Sequence, residues 1–187
     1  MKGSDDLHAL VRRVKNGDLR AFDELYTRFL TPIYRYVYFR VKRKEDAEDI
    51  TQTVFLKAYQ SLPRFEDKGV SPLAYFYSIA RNAVIDHWRK KGEILFGDMG
   101  DGVFDIPDSS GSDGSERRIL EKMWADEIVR EGMGALTSFE AEALTLKFMH
   151  DLSNKEIASL LGKSEEAVRQ LQSRGIRKMR ESTRFDL

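Results

Sequence analysis

The chain has 187 residues, with 31 Lys+Arg balanced by 31 Asp+Glu, and it contains no cysteine. A zero net charge argues against a protein that coats nucleic acid by charge alone, and the missing cysteines exclude disulfides, thiolate metal sites and cysteine nucleophiles. His8, His87 and His150 are too scattered to form a ligand spacing, no apolar run nears the roughly 18 residues of a membrane span, and the first residues lack a secretory apolar core. A cytoplasmic location, no membrane span and no metal are therefore expected.

The zero total hides a partition. Residues 1–91 carry +6, residues 92–116 carry −7 with no base at all, and residues 117–187 carry +1. In chain order, residues 5–15 read as a short helix stopped at Asn16-Gly17, with Asp18 placed to cap the next. From Phe22 through Leu25, Tyr26, Phe29, Ile33, Tyr36 and Val37 the apolar positions recur at three- and four-residue steps. Pro32 lies inside that run and is expected to kink or interrupt it. After a polar break at 42–45, Ala47, Ile50, Val54, Ala58 and Leu62 mark another buried face, opposite Glu48, Asp49, Gln52 and Lys57. Residues 63–71 read as a loop.

The helix expected over 72–91 has two distinct sides at about 100° per residue. Phe76, Ala80, Ala83, Val84 and His87 lie on one, while Ser78, Arg81, Asn82, Asp86 and Arg89 lie on the other. Only the apolar side is needed for packing. The polar side runs into Arg89-Lys90-Lys91 and ends at Gly92, a pattern suited to nucleic acid, where basic groups meet phosphates and amides reach base edges.

Residues 92–116 are rich in Gly, Ser and Asp and read as a flexible linker. As a coil it spans roughly 25–30 Å on average. A negative linker could fold onto the +6 segment and mask its DNA face. Helix resumes over 117–129 and breaks at Gly132 and Gly134. Thr137/Glu140 and Ser153/Glu156 are capping-box pairs that open two further helices. Residues 154–173 have the layout of a helix-turn-helix. Small Ala158 permits a close crossing, Gly162 supplies the turn, and Ser164 caps the second helix. Val168 and Leu171 pack back on Ile157 and Leu161. Glu166, Arg169, Gln170 and Ser173 are left for base edges, with Arg174, Arg177 and Lys178 following for phosphates. Gly175 inside this helix costs roughly 1 kcal/mol against alanine, and the pattern offers no reason for it. No stretch alternates as a strand. The fold expected is all-α: small helical domains at 1–91 and 117–187, the second with the helix-turn-helix, joined by the acidic linker.

With both halves read, the chain resembles the extracytoplasmic-function (ECF) type of bacterial RNA polymerase sigma factor over nearly its whole length. The resemblance rests on Gly17-Asp18 with Ala21-Phe22 and Leu25-Tyr26, on residues 45–50 with Gln52 and 54–56, on Ile79-Ala80-Arg81-Asn82 with Asp86 and Arg89, and on residues 152–180. It implies that Glu48, Asp49 and Gln52 meet the clamp of core RNA polymerase. It implies that the 64–71 loop, with Arg64 and Lys68, and the helix bearing Ser78 to Lys91 take the −10 element, including an unpaired base of the melted non-template strand. Tyr75 or Tyr77 would offer stacking surface. The second domain would then bind −35 duplex through Ser164 to Lys178 and approach the flap, and an anti-sigma factor would hold the protein in check. No cofactor and no catalytic residue is implied. Three places depart from the family pattern: Leu136-Thr137 for Leu-Pro, residues 71–75 for Phe-Arg-x-Trp, and Arg174-Gly175-Ile176 for Arg-Ala-Arg.

The competing reading is a free-standing helix-turn-helix repressor or activator with an N-terminal regulatory domain, which would bind duplex half-sites without polymerase. The polar face and loop of the first half have no role in such a protein. An enzyme is disfavoured because no acid/base pair, metal cluster or phosphate-cradling glycine loop is present.

Overall fold

The computed structural model describes residues 2–41, 43–66, 70–92 and 135–182, without the side chains of 2–5 and 39. The expected linker past Gly92, the helix expected at 117–129 and Lys68 lie outside these residues. The chain divides into two compact units, Met1–Leu95 and Phe96–Leu187. Every regular element among the described residues is helical.

The first unit holds α1 (Lys2–Lys15), α2 (Leu19–Val41), α3 (Lys44–Ser61), a 3-10 turn at Leu62–Arg64 and α4 (Pro72–Lys90). α1 stops because Gly17 takes a left-handed φ of 86°, and the Asp18 carboxylate then accepts from the amides of Arg20 and Ala21 at 3.0 and 3.3 Å. α2 runs unbroken through Pro32, so the expected interruption is absent. Proline removes one helical hydrogen bond, but Phe29, Ile33, Tyr36 and Val37 on both sides of it are all buried on one face. Their packing outweighs the lost bond.

α2 packs against α1, α3 and α4. The centre is aromatic: Phe76 meets Phe29 at 5.0 Å and Phe55 at 5.4 Å, and Tyr36 meets Tyr77 at 5.1 Å. Edge-on pairs of this kind add about 0.5–1.5 kcal/mol beyond the area they bury. Tyr77 is fully buried, and burial pushes its phenol well above the ordinary value despite the nearby Arg40 charge. It therefore offers no stacking surface, which corrects one of the two candidates. Tyr75 is only half-buried, but its ring lies 4.8 Å from Phe65 and its hydroxyl donates to Ser61 Oγ at 2.6 Å.

The second unit holds α5 (Ser138–Phe148), α6 (Asn154–Leu161) and α7 (Glu165–Ser182). Both expected capping boxes are formed, Thr137 with Glu140 and Ser153 with Glu156. Gly162 ends α6 at φ 63°, and Ser164 accepts from the Ala167 amide at 3.1 Å to start α7. Ile157, Ala158, Leu161, Val168 and Leu171 are buried, so the helix-turn-helix closes on the residues that its pattern named. The structure also explains Gly175. A Cβ there would sit 2.8 Å from Leu144 Cδ1 and 3.5 Å from Glu140 Cβ, so its absence lets α7 lie directly on α5.

Candidate nucleic-acid interface

Among the described residues, three surfaces hold the polar side chains that the sequence pattern singles out. The first is an open groove of about 540 Å3 in the first unit, lined by Lys57, Gln60 and Ser61 of α3, Arg64 of the 3-10 turn, and Ile79, Asn82 and Asp86 of α4. α3 and α4 pack on each other with Ala58, Phe76 and Ala80 buried, and the groove lies beside that contact. Asp86 lies 4.0 Å from Lys57 Nζ and 3.9 Å from Arg89, so its carboxylate sits between two cations at the rim. Asn82 is exposed in the groove, and its carboxamide carries both donors and an acceptor.

The groove separates the residues expected on this helix. Arg64, Asn82 and Asp86 converge. Arg81, one residue from Asn82 and about 100° round the helix, is half-buried and does not line the groove. Ser78 turns back on its own helix, its hydroxyl donating to the Tyr75 carbonyl at 2.7 Å. Arg89 and Lys90 remain exposed past the groove. Lys91 does not join them: its ammonium donates to Asp46 at 2.8 Å, with His87 Nε2 another 3.6 Å from the same carboxylate. The Lys91 hydrogen bond holds the Asp46 carboxyl below its ordinary value against a lesser desolvation effect. Lys91 thus ties the end of α4 to the start of α3, while its side chain stays 36% exposed. Lys57 and Gln60 enter as additions. Their signal was the i, i+3 spacing on α3 just before Arg64, invisible until α4 closed the other side.

The second surface is the outer face of α3. Glu48, Asp49 and Gln52 are exposed as expected. The same stripe continues into Leu56, 58% exposed, and Tyr59, 42% exposed. Tyr59 packs edge-on with Phe22 of α2 at 5.0 Å. An acidic-amide end thus runs into two exposed apolar side chains on one helix face. The 52, 56, 59 spacing carried that signal in the sequence.

The third surface is α7. Ser164, Glu166, Arg169, Gln170, Ser173, Arg174 and Arg177 are all exposed. Glu166 and Arg169 are not independent, however, since the guanidinium donates to the carboxylate at 2.9 and 3.1 Å. Lys178 is half-buried beside them. Its ammonium donates at 2.7 Å to Glu140, whose side chain is 4% exposed. Burial by itself would raise the Glu140 carboxyl, but the bonds from Lys178 and Thr137 prevail and hold it below its ordinary value. A buried carboxylate needs such a partner, and Lys178 supplies it.

Comparison with known proteins places both units in one family. Residues 25–94 match the model for Sigma-70 region 2 and residues 132–181 the model for Sigma-70, region 4. The chain is 30% identical to the ECF RNA polymerase sigma factor SigM of Bacillus subtilis, over 76% of this chain and 83% of that protein. The chain belongs to the ECF family of RNA polymerase sigma factors. To the ECF sigma factor BldN of Streptomyces coelicolor it is 34% identical over 90% of its length, and it spans 62% of that longer protein. The structure of CnrH in complex with the cytosolic domain of CnrY shares the fold, at a TM-score of 0.68 and 20% identity, covering 97% of this chain and 99% of that one. Within an ECF sigma factor, the groove and the α3 face both fall in region 2, and α7 falls in region 4. No described helix is long and apolar enough to cross a membrane.

Proposed function

We propose that this sigma factor docks on core RNA polymerase through the α3 face and directs it to promoters read at two elements. Asp49 and Gln52, with Glu48 beside them, supply the polar contacts to the clamp, and Leu56 and Tyr59 the apolar ones. The groove takes one unpaired base of the non-template −10 strand: Asn82 reads its edge, Arg64 and the Asp86–Lys57 pair hold its surroundings, and Arg89 and Lys90 track the adjoining phosphates. On the −35 duplex, α7 enters the major groove with Arg169, held by Glu166, and Gln170 as base readers. Ser164, Ser173, Arg174 and Arg177 contact the backbone. Residues 1–91 and 117–187 act as the two promoter-binding domains, and the acidic 92–116 linker lets them reach both elements while region 4 meets the flap. The protein works in the cytoplasm with its polymerase and catalyses nothing itself.

The observation that carries the reading is the groove, where Arg64, Asn82 and Asp86 from two elements converge on a space that packing does not use. A duplex-only repressor has no use for it. Since the sigma factor RpoE of Bartonella quintana, which shares the fold, is found in complex with the anti-sigma factor NepR, we infer that this chain too is bound by an anti-sigma factor, which competes for the α3 face. The deciding experiment is run-off transcription with purified core polymerase over a genomic promoter library. Specific transcripts are expected, and Asn82→Ala should lower opening at those promoters. A library without a single specific transcript would sink the proposal.

A further inference from the structure

We propose that Lys15, the last residue of α1, is a positioning residue for promoter opening, acting through the chain that carries Arg64 into the groove. Lys15 stands outside the region 2 match at 25–94, on a helix that no part of the reading above uses. Its ammonium donates to the carbonyl oxygen of Phe65, and α1 packs against the 3-10 turn that ends in Arg64.

Phe65 is the point where the chain leaves that turn. Its backbone is extended, at φ −60° and ψ 124°, and its amide donates to Leu62 at 3.0 Å. The ring is buried and packs 4.8 Å from Tyr75. Amide, ring and carbonyl are therefore each committed to a different neighbour. A three-residue 3-10 turn has little stability of its own, so these outside ties set where Arg64 lies. The Leu62 bond is local and the Tyr75 contact comes from α4. The Lys15 bond alone reaches the carbonyl from α1, and a donor that carries charge makes it stronger than a neutral bond.

The consequence is specific to one step. The α3 docking face is built on Ala47, Ile50 and Val54, and α7 belongs to the other unit, so neither depends on the Phe65 carbonyl. Only the groove does. Loss of the bond loosens the groove's Arg64 wall while polymerase docking and −35 duplex binding continue.

The inference rests on the groove being the base-holding site, and the test separates the two ideas. Full-length Lys15→Met, Lys15→Arg and Asn82→Ala proteins are assembled with core polymerase on a promoter recovered by run-off. Four quantities are read: polymerase affinity, −35 duplex binding, affinity for a single-stranded −10 oligonucleotide, and permanganate reactivity of thymines in the −10 element. Lys15→Met should lower the last two about tenfold, equivalent to about 1.4 kcal/mol, and leave the first two within about twofold. Lys15→Arg keeps a charged donor and should recover most of the loss. Opening by Lys15→Met at the wild-type level, beside a defective Asn82→Ala, overturns the role of Lys15 alone. Loss of polymerase affinity in step with opening also overturns it, because the lysine would then be a general support of the fold. Normal opening by Asn82→Ala overturns the groove reading instead.

Discussion

Gly175→Ala provides a sharp test of how the second unit is packed, because two effects of opposite sign meet at one carbon. In an exposed helix this substitution stabilises by about 1 kcal/mol, since glycine is the poorer helix former. Here the new Cβ would lie 2.8 Å from Leu144 Cδ1 and 3.4 Å from its Cγ, whereas carbon contacts are comfortable at about 3.5–4.0 Å. Leu144 is 5% exposed, so its methyl cannot swing into solvent. Either it takes a poorer rotamer or α7 lifts from α5, stretching the Lys178–Glu140 bond. Overpacking of this kind costs about 1–3 kcal/mol, giving a net loss of about 1 kcal/mol after the helical gain. In a domain this small that lowers Tm by about 4–8 °C. The assay is amide hydrogen exchange of α5 and α7 in the intact chain, measured along a urea series. On a Leu144→Ala background the obstacle is gone, and the same Gly175→Ala change should stabilise by about 1 kcal/mol, a coupling of roughly 2 kcal/mol. A stabilisation of equal size on both backgrounds would refute the close-approach reasoning.

Four other outcomes follow from the same structure. Lys178→Met strands the buried Glu140 carboxylate and should cost about 3 kcal/mol, read as a lower urea midpoint for the second unit, with −35 affinity unchanged once folded. Because the folded Glu140 carboxyl lies below its ordinary value of 4.5, its contribution is complete above that pH and is lost as pH falls through the lower folded value. Glu140→Gln should therefore flatten the acid limb of a stability–pH profile for this unit. In the first unit, Arg89→Ala or Lys90→Ala should reduce the salt slope of −10 strand binding by about 0.7 each, whereas Lys91→Ala should leave the slope alone and loosen the α3–α4 contact. Asp49→Arg should weaken core polymerase binding more than about tenfold while the circular dichroism of the chain stays unchanged, and pull-down with core subunits checks it.

The repeat of apolar positions and the caps were enough, by themselves, to determine the class of the fold and most of the described helices, though not the passage of α2 through Pro32. Asp18, the two capping boxes, Gly162 and Ser164 act through atoms only a few residues away, so their effect is legible in the order of residues. The same is true of the helix-turn-helix and of the exposed 52, 56, 59 stripe, because a helix's faces follow from its period. What the sequence could not determine was the fate of each polar group on those faces. Lys91 and Lys90 are adjacent and equally basic, yet Lys91 meets Asp46, 45 residues away, and Lys90 does not. Lys178 looks like one more member of a basic tail until α5 brings Glu140 under it from 38 residues upstream. Gly175 is a cost within its own helix, and its reason is the close approach of Leu144 and Glu140 from α5. The groove belongs to the same class, since Lys57 and Gln60 join Asn82 and Asp86 only when α3 and α4 pack. Local periodicity decides which residues face outward, and long-range contact decides which of those are already occupied.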